Sequence, residues 1–156
     1  MNVLTTITWP AVLPGPLREG HTTKHGTPFV RTQMASGRAR QRRAFTSVPS
    51  EKRFSWLFTE SQCIAFESWF RDVLMDGGEW FSMNARTPLG SDTTLVCRFM
   101  GMYDGPELVG GDSWQVNAEL EVWARPLLPP GWGAMPEYIT GADIIDRAVN
   151  QEWPAA

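Results

Sequence analysis

The stretch Lys52–Leu74, KRFSWLFTESQCIAFESWFRDVL, decides the fold because a strand pattern in it runs directly into a helix pattern. The aromatic residues of FSWLF recur at every second position, so a strand places all three on one face. Thr59 and Gln62 follow as a capping box, in which the Thr59 side chain caps a helix and the Gln62 side chain reaches back. The stretch therefore predicts an aromatic strand that ends where a helix begins.

The predicted helix covers about residues 60–75 and carries one apolar stripe. The stripe recurs at helical spacing and consists of Phe66, Trp69, Phe70 and Val73. The sequence Asp76-Gly77-Gly78 ends the helix, because glycine adopts the positive φ that closes a helix terminus. The composition of the stripe favours packing into a core, and a ligand groove is the alternative.

Strand patterns flank this unit on both sides. Upstream, Pro28–Ala35 and Arg40–Thr46 predict two strands around a turn at Ser36-Gly37. Downstream, the sequence predicts a loop over residues 101–112 and strands at Glu79–Asn84, Thr94–Met100 and Ser113–Ala124.

The strand Ser113–Ala124 alternates strictly between apolar and polar side chains. This pattern predicts one face in a core and one face toward water or a partner. Glu119 and Glu121 belong to the polar face. Trp123 interrupts that face and marks a candidate contact surface, with a singly exposed aromatic residue as the alternative.

The sequence as a whole predicts a mainly β domain with one helix over residues 29–125, flanked by two extended arms. Residues 1–28 form the N-terminal arm, because prolines and glycines interrupt regular structure there. Residues 126–156 form the C-terminal arm, in which Asp143–Asn150 is compatible with a short helix. Docking on another chain is favoured over packing on its own domain by the apolar residues of this arm, which are Trp132, Tyr138, Ile139, Ile144, Ile145 and Trp153.

Length and composition exclude several classes of protein. The chain has 156 residues, 42% of them apolar and 20% charged, which predicts one domain, with or without a tail, rather than a disordered chain. No long apolar run is present to span a membrane, and the start lacks the basic residues of a secretory signal. Cys63 and Cys97 fit neither a disulfide framework nor a zinc motif, which indicates a reducing compartment or indifference to redox state.

Charge is divided unevenly along the chain. Residues 1–58 contain nine Lys or Arg and two acids, whereas the remainder contains five Lys or Arg and fifteen acids. A basic first half could bind polyanions, and two complementary halves could instead pair head-to-tail between copies of the chain. Two solvated faces of one domain are the third interpretation.

The basic residues concentrate in Arg38, Arg40, Arg42 and Arg43. At a period of two, the first three project from one face of a strand, as a phosphate-binding stripe would. No aromatic residues alternate with them to stack on bases, and the pI of 5.4 also disfavours nucleic-acid binding. Pairing with Glu119 and Glu121 of a neighbouring copy is favoured instead. The predicted subunit interface consists of Arg38, Arg40, Arg42, Arg43, Glu119, Glu121, Trp123 and Trp132.

Catalytic and metal-binding patterns are scarce. His21 and His25 have the spacing of zinc ligands on a helix, but Gly20, Gly26 and Pro28 disfavour a helix there. Phosphate loops, dinucleotide fingerprints and nucleophile elbows are absent from the sequence, and no pair of acids is spaced for acid–base work. The sequence therefore predicts a protein that is not an enzyme, with no catalytic residue, no bound metal and no cofactor.

The order of elements resembles a family of phage tail proteins. The resemblance rests on RTQMASGRARQRRAFT, the strand FSWLF, the helix TESQCIAFESWFRDVL ending in DGG, and the strands EWFSM, TLVCRF and WQVNAELEVWA. In this order and these motifs the chain is similar to tail-tip proteins of long-tailed, siphovirus-type phages. It resembles the minor tail protein M of lambda-like phages and the N-terminal domain of distal tail proteins over residues 9–125.

The resemblance implies a small β-sandwich or split barrel with one packed helix. It also implies a hexameric ring of copies that connects the tail tube to the hub, or baseplate, in a virion assembled in the host cytoplasm. The implied partners are other copies, tube proteins and hub proteins, without a membrane or a specific nucleic acid. A carbohydrate-binding β-sandwich adhesin is the alternative, since eight tryptophans offer stacking platforms, although Trp56, Trp69 and Trp114 fall on predicted core faces.

Overall fold

The computed structural model describes residues 5–142 and residue 144. The chain divides into two compact units, Met1–Pro126 and Leu127–Ala156. The first unit contains every strand described below. The described part of the second unit contains a short 3-10 helix, Trp132–Ala134, followed by helical residues 136–142.

Eight strands and one α-helix make up the first unit. In chain order they are β1 Thr22–His25, β2 Phe29–Gln33, β3 Ala39–Arg43, β4 Ser50–Thr59, α1 Glu60–Asp72, β5 Phe81–Thr87, β6 Gly90–Phe99, β7 Asp104–Val109 and β8 Ser113–Val122. Six of the strands form one antiparallel sheet in the order β1-β4-β8-β6-β5, with β7 also paired to β8. β2 and β3 form a separate two-stranded antiparallel sheet.

β8 is the central strand of the sheet. β4 pairs with it along its whole length, from Ser50 opposite Val122 to Thr59 opposite Ser113. On the other edge of β8, β6 pairs with the end of the strand and β7 with its beginning. The strict alternation of β8 follows from this position, because Val116, Ala118, Leu120 and Val122 are all buried.

The core lies between one face of the sheet and α1. Phe66 of α1 is fully buried and stacks on Trp56 and Phe58 of β4, with ring centroids 6.4 and 5.2 Å apart. Phe70 meets Phe99 of β6 edge to face at 4.9 Å. Burial of such aromatic side chains is the main stabilising contribution in a domain of this size.

The helix begins where the capping box predicts. The Thr59 side chain accepts a hydrogen bond from the Gln62 amide, and the Gln62 side chain accepts one from the Thr59 amide. The last residue of the apolar stripe differs from the prediction. Val73 is 42% exposed, and Leu74 is buried instead. The helix ends at Asp72, one turn earlier than predicted, and the turns that follow it rotate Leu74 into the core.

The fold class is confirmed: the protein is mainly β with one packed helix. The strand and turn predictions upstream also agree with the structure, since β2 and β3 pair around the turn that contains Gly37. The loop prediction for residues 101–112 is wrong, because β7 lies within it. Hydrogen bonding to the exposed edge of β8 makes Asp104–Val109 a strand despite its glycine and proline.

The N-terminal segment also differs from its prediction as a separate arm. Trp9 stacks on Trp56 at 5.3 Å, and Leu13 is buried in the core. Ile7 and Trp9 exchange backbone hydrogen bonds with Ser82 at the edge of β5. Prolines and glycines predict an extended backbone correctly, but these apolar side chains bring it onto its own domain. The helix predicted at Asp143–Asn150 lies outside the described residues except for Ile144.

Candidate functional site

The arginine hairpin, defined as β2, β3 and the turn between them, is the most unusual surface of the molecule. Its register places Thr32 opposite Arg40 and Val30 opposite Arg42, so these four side chains share one face. They line a shallow groove of about 330 Å³ together with Met34. The structure therefore brings Arg40 and Arg42 together, as the period of two predicts. Arg38 lies just before β3, where its carbonyl accepts a hydrogen bond from the Met34 amide.

Arg43 belongs to the opposite face of the hairpin. Its Nε donates to the Phe45 carbonyl and its Nη2 to the Thr46 carbonyl, both at 3.1 Å. These bonds hold the guanidinium against the segment that follows β3. The Arg43 side chain is therefore held in place, whereas the side chains of Arg40 and Arg42 have no hydrogen-bond or ion-pair partner among the described residues.

The hairpin exposes apolar side chains beside its arginines. Phe29 is 40% exposed, Met34 51% and Phe45, just after β3, 58%. Residues 26–50 contain no acid, and the hairpin itself contains five arginines. Two-stranded hairpins without other packing are marginally stable in water, so this element lacks the stabilisation that the rest of the sheet has. Its composition fits a surface that binds an acidic and partly apolar partner.

Glu119 and Glu121 lie on the outer face of the six-stranded sheet, the face opposite the core. The Glu121 carboxylate forms an ion pair with Arg98 of β6, whose Nη2 donates a hydrogen bond to Glu121 Oε2 at 2.8 Å. Glu119 is exposed and lies opposite Arg53 in the strand register. Glu121 is thus already neutralised within its own chain, which makes it a weaker partner for the arginines of another copy.

A cluster of aromatic and charged residues surrounds that ion pair. The Arg98 guanidinium lies over the Trp80 ring at 4.6 Å, and the Trp80 and Trp123 rings meet edge to face at 5.3 Å. Trp80, Arg98 and Trp123 are all half-buried. The sequence identified Trp123 and Glu121 but not Trp80 or Arg98, because their meeting depends on the pairing of β5, β6 and β8. Trp132, the last predicted interface residue, is 46% exposed in the second unit.

Two basic side chains lie on the core side of the sheet, near β1. Lys52 is only 4% exposed, and burial lowers the pKa of its amine. His21 packs on Phe54 at 4.7 Å, and its buried Nε2 has no hydrogen-bond partner. Burial and the charge of Lys52 lower the pKa of His21. Neither Lys52 nor His21 Nε2 meets an acid or other acceptor in the described part of the chain.

The remaining reactive side chains serve packing or local hydrogen bonding. His25 lies in β1, where its Nδ1 is 2.8 Å from the Ser50 hydroxyl. Cys63 and Cys97 are buried, and burial raises the pKa of both thiols. Burial and a hydrogen bond to Glu67 raise the pKa of Tyr103 to about 12. Within residues 5–142 and 144, no three His, Cys, Asp or Glu side chains are grouped to hold a metal ion.

No helix in the described residues has the length and hydropathy needed to cross a membrane. Comparisons of the chain with protein-family models, with curated proteins and with solved structures found no match. A functional proposal for this chain therefore rests on the resemblance of its element order and on the chemistry of its surfaces.

Proposed function

We propose that this chain is a non-enzymatic structural protein of a phage tail tip. In this proposal its copies form a hexameric ring that connects the tail tube to the hub, and the virion that contains the ring is assembled in the host cytoplasm. The similarity of its element order to tail-tip proteins supports the tail assignment. The observation that carries the assembly role is the arginine hairpin, a cationic and apolar element with almost no support from its own domain.

The hairpin needs a partner for a thermodynamic reason. All ten residues of β2 and β3 are exposed except Ala39, which is half-buried. An element of this kind buries too little apolar surface to offset the conformational entropy that ordering it costs. Contact with a neighbouring molecule would cover Phe29 and Met34 and supply that missing burial.

A second copy of the chain has the complementary charge. Residues 51–126 contain twelve acids and six Lys or Arg. A contact between the hairpin of one copy and the acidic body of the next uses two different surfaces, so it is heterologous and can close into a ring. Charge complementarity of this kind favours correct pairing and disfavours contact between like surfaces.

Light scattering of the native protein across concentration tests this proposal. The expected result is a discrete ring whose stability decreases as salt rises, because salt screens exposed charges over about 10 Å at 0.1 M. The double variant Arg38→Glu with Arg40→Glu should reduce ring formation. The matched control Arg18→Glu with Arg86→Glu makes the same change in net charge at exposed positions outside the hairpin. Equal ring formation by both double variants would contradict the role of the hairpin.

Carbohydrate binding is a second candidate function, and the cluster at Trp80 favours it. Indole rings beside a charged hydrogen-bonding pair, Arg98 and Glu121, form the type of surface on which sugars stack. Saturable quenching of tryptophan fluorescence by a sugar, lost in Trp80→Ala and kept in Trp132→Ala, would support this function over assembly. Absence of quenching across a sugar panel would remove it.

A further inference from the structure

A basic pocket lies at the base of the arginine hairpin. Its volume is about 540 Å³, which is within the range of ligand sites in proteins. It is lined by Phe29, Gln41 and Arg43 from one face of the hairpin, by Arg42, which also lines the groove on the other face, and by Val48 and Arg125. Three of the lining residues are arginines, and no acid is among them.

The arginines differ in how they are held. Arg43 is fixed by its bonds to the Phe45 and Thr46 carbonyls. The side chains of Arg42 and Arg125 make no hydrogen bond or ion pair with a described residue, and each guanidinium has five N–H donors in a planar fork. This fork matches the two oxygens of a carboxylate, and the fixed Arg43 adds a positive charge beside it.

The apolar part of the lining narrows the class of ligand. A small inorganic ion would fill only part of a pocket of this volume and would leave Phe29 and Val48 without contacts. A peptide segment that carries a carboxylate next to an apolar side chain would satisfy both the arginines and the apolar wall. The pocket chemistry therefore favours an acidic, apolar peptide segment.

The chain itself contains an exposed segment of this kind. In β7, the carboxylates of Asp104 and Glu107 are exposed and have no ion-pair or hydrogen-bond partner among the described residues. Leu108 and Val109 of the same strand are 55% and 38% exposed. β7 pairs only with β8 among the described strands, so its other edge is open to a partner. Two other acids are already engaged, since Glu121 pairs with Arg98 and Asp72 with Arg71.

We propose that the pocket lined by Arg42, Arg43 and Arg125 binds β7 of a second copy, with a carboxylate of β7 bound by these arginines and an apolar side chain of β7 on Phe29. The choice of a second copy rests on the proposed ring. The recognition of an acidic, apolar segment rests only on the pocket and can be tested in a chain that does not assemble.

The direct test is a titration of the full-length chain with the capped peptide Asp-Gly-Pro-Glu-Leu-Val, which has the sequence of β7. Calorimetry should show saturable binding that weakens about tenfold or more in Arg42→Gln with Arg125→Gln, since charged hydrogen bonds are lost. The control Arg18→Gln with Arg86→Gln should bind like the original chain. The neutral peptide Asn-Gly-Pro-Gln-Leu-Val should bind at least about tenfold more weakly for the same reason.

The second arm measures self-association of the full chain by light scattering. Asp104→Asn with Glu107→Gln should weaken it as much as Arg42→Gln with Arg125→Gln does. Asp76→Asn with Glu79→Gln, an equal loss of charge after α1, should leave it unchanged. Equal self-association by all three variants would overturn the choice of β7.

The two arms separate failure of this inference from failure of the ring. A chain that assembles but binds neither peptide, or that binds both peptides equally, overturns the pocket inference and leaves the ring intact. Binding of inorganic phosphate without binding of the acidic peptide overturns it as well. A chain that stays monomeric yet binds the acidic peptide through Arg42 and Arg125 supports the pocket and contradicts self-assembly as an intrinsic property.

Discussion

The part of the sheet under α1 and the arginine hairpin differ in how far their apolar side chains are buried within the domain. Under α1, Phe66 stacks on Trp56 and Phe58, and all three side chains are only 0–1% exposed. In the hairpin, Phe29 and Met34 are 40% and 51% exposed beside unpaired arginines. The first region is stable because of contacts within its own domain. The second exposes apolar and cationic side chains that make few contacts within the domain, as the proposed assembly role requires.

The largest expected effect separates the two regions by truncating one aromatic residue in each. Phe66→Ala should reduce the free energy of unfolding by about 3–5 kcal/mol, because it removes a buried ring and leaves a cavity. Phe29→Ala should change it by less than about 1 kcal/mol in the dilute chain, because the Phe29 ring is exposed. Urea denaturation of both variants measures the difference. Similar losses would mean that the hairpin is part of the core.

The Lys52 side chain gives the next largest effect. Lys52→Met should raise the free energy of unfolding by up to about 1.5 kcal/mol at neutral pH, because it removes a partly desolvated charge that has no acceptor among the described residues. The gain should shrink as pH rises toward 10.5. The pKa of Lys52 is lowered in the folded protein, so the folded state pays for the charge at neutral pH, whereas the amine is neutral in both states once the pH exceeds 10.5.

The exposed Lys24 offers a matched control. Lys24→Met should change the free energy of unfolding by less than about 0.5 kcal/mol, because its amine makes only an exposed ion pair with Glu51. A loss of stability in Lys52→Met of the size seen for core truncations would show that the Lys52 amine has an acceptor.

The capping box should contribute less. Thr59→Ala removes the side chain that caps α1 and should lower the free energy of unfolding by about 1 kcal/mol. Thr59→Ser keeps the hydroxyl and should recover most of that loss. Thermal unfolding of the original chain and of the two variants, monitored by circular dichroism, measures these differences in stability. Equal stability of the Ala and Ser variants would show that the cap adds nothing to the packing of α1.

The smallest effect is a dependence of stability on pH at His21. Because burial and Lys52 lower the pKa of His21 below 6.5 in the folded protein, the unfolded chain binds the proton more readily. The stabilising contribution of neutral His21 to the free energy of unfolding is therefore fully present above pH 6.5. It is lost as pH falls through the lowered pKa of the folded protein. His21→Phe should reduce this slope in urea denaturation between neutral and mildly acidic pH. If His21→Phe leaves the change of the free energy of unfolding with pH unaltered, other titratable groups are responsible for that change.

The parts of the fold that follow from local pattern could be predicted from the sequence. The alternation in β4 and β8 and the capping box at Thr59 specify faces and a helix start through neighbouring residues alone. β1 and β7 could not be predicted, because their strand conformation depends on hydrogen bonds to β4 and β8 rather than on their own alternation. The packing of the N-terminal segment does not follow from the sequence for a similar reason, since Trp9 meets Trp56, which lies 47 positions further along the chain.

The candidate surfaces show the same division. The period of two placed Arg40 and Arg42 on one face correctly, because a hairpin register preserves that period. The cluster of Trp80 and Arg98, and the pocket that joins Arg42 to Arg125, depend on which strands and loops are neighbours. Single residues in these groups carry no sequence signal of their own.

Amide hydrogen exchange, measured in dilute and in concentrated protein, tests most directly whether the hairpin is stabilised by a partner. The structure predicts that residues 29–43 exchange fast in dilute solution and become protected when copies assemble, whereas β4 is protected in both. Protection of the hairpin equal to that of β4 in the dilute monomer would contradict the account. Fast exchange of the hairpin within an assembled ring would also contradict it, because the contact would then lie elsewhere.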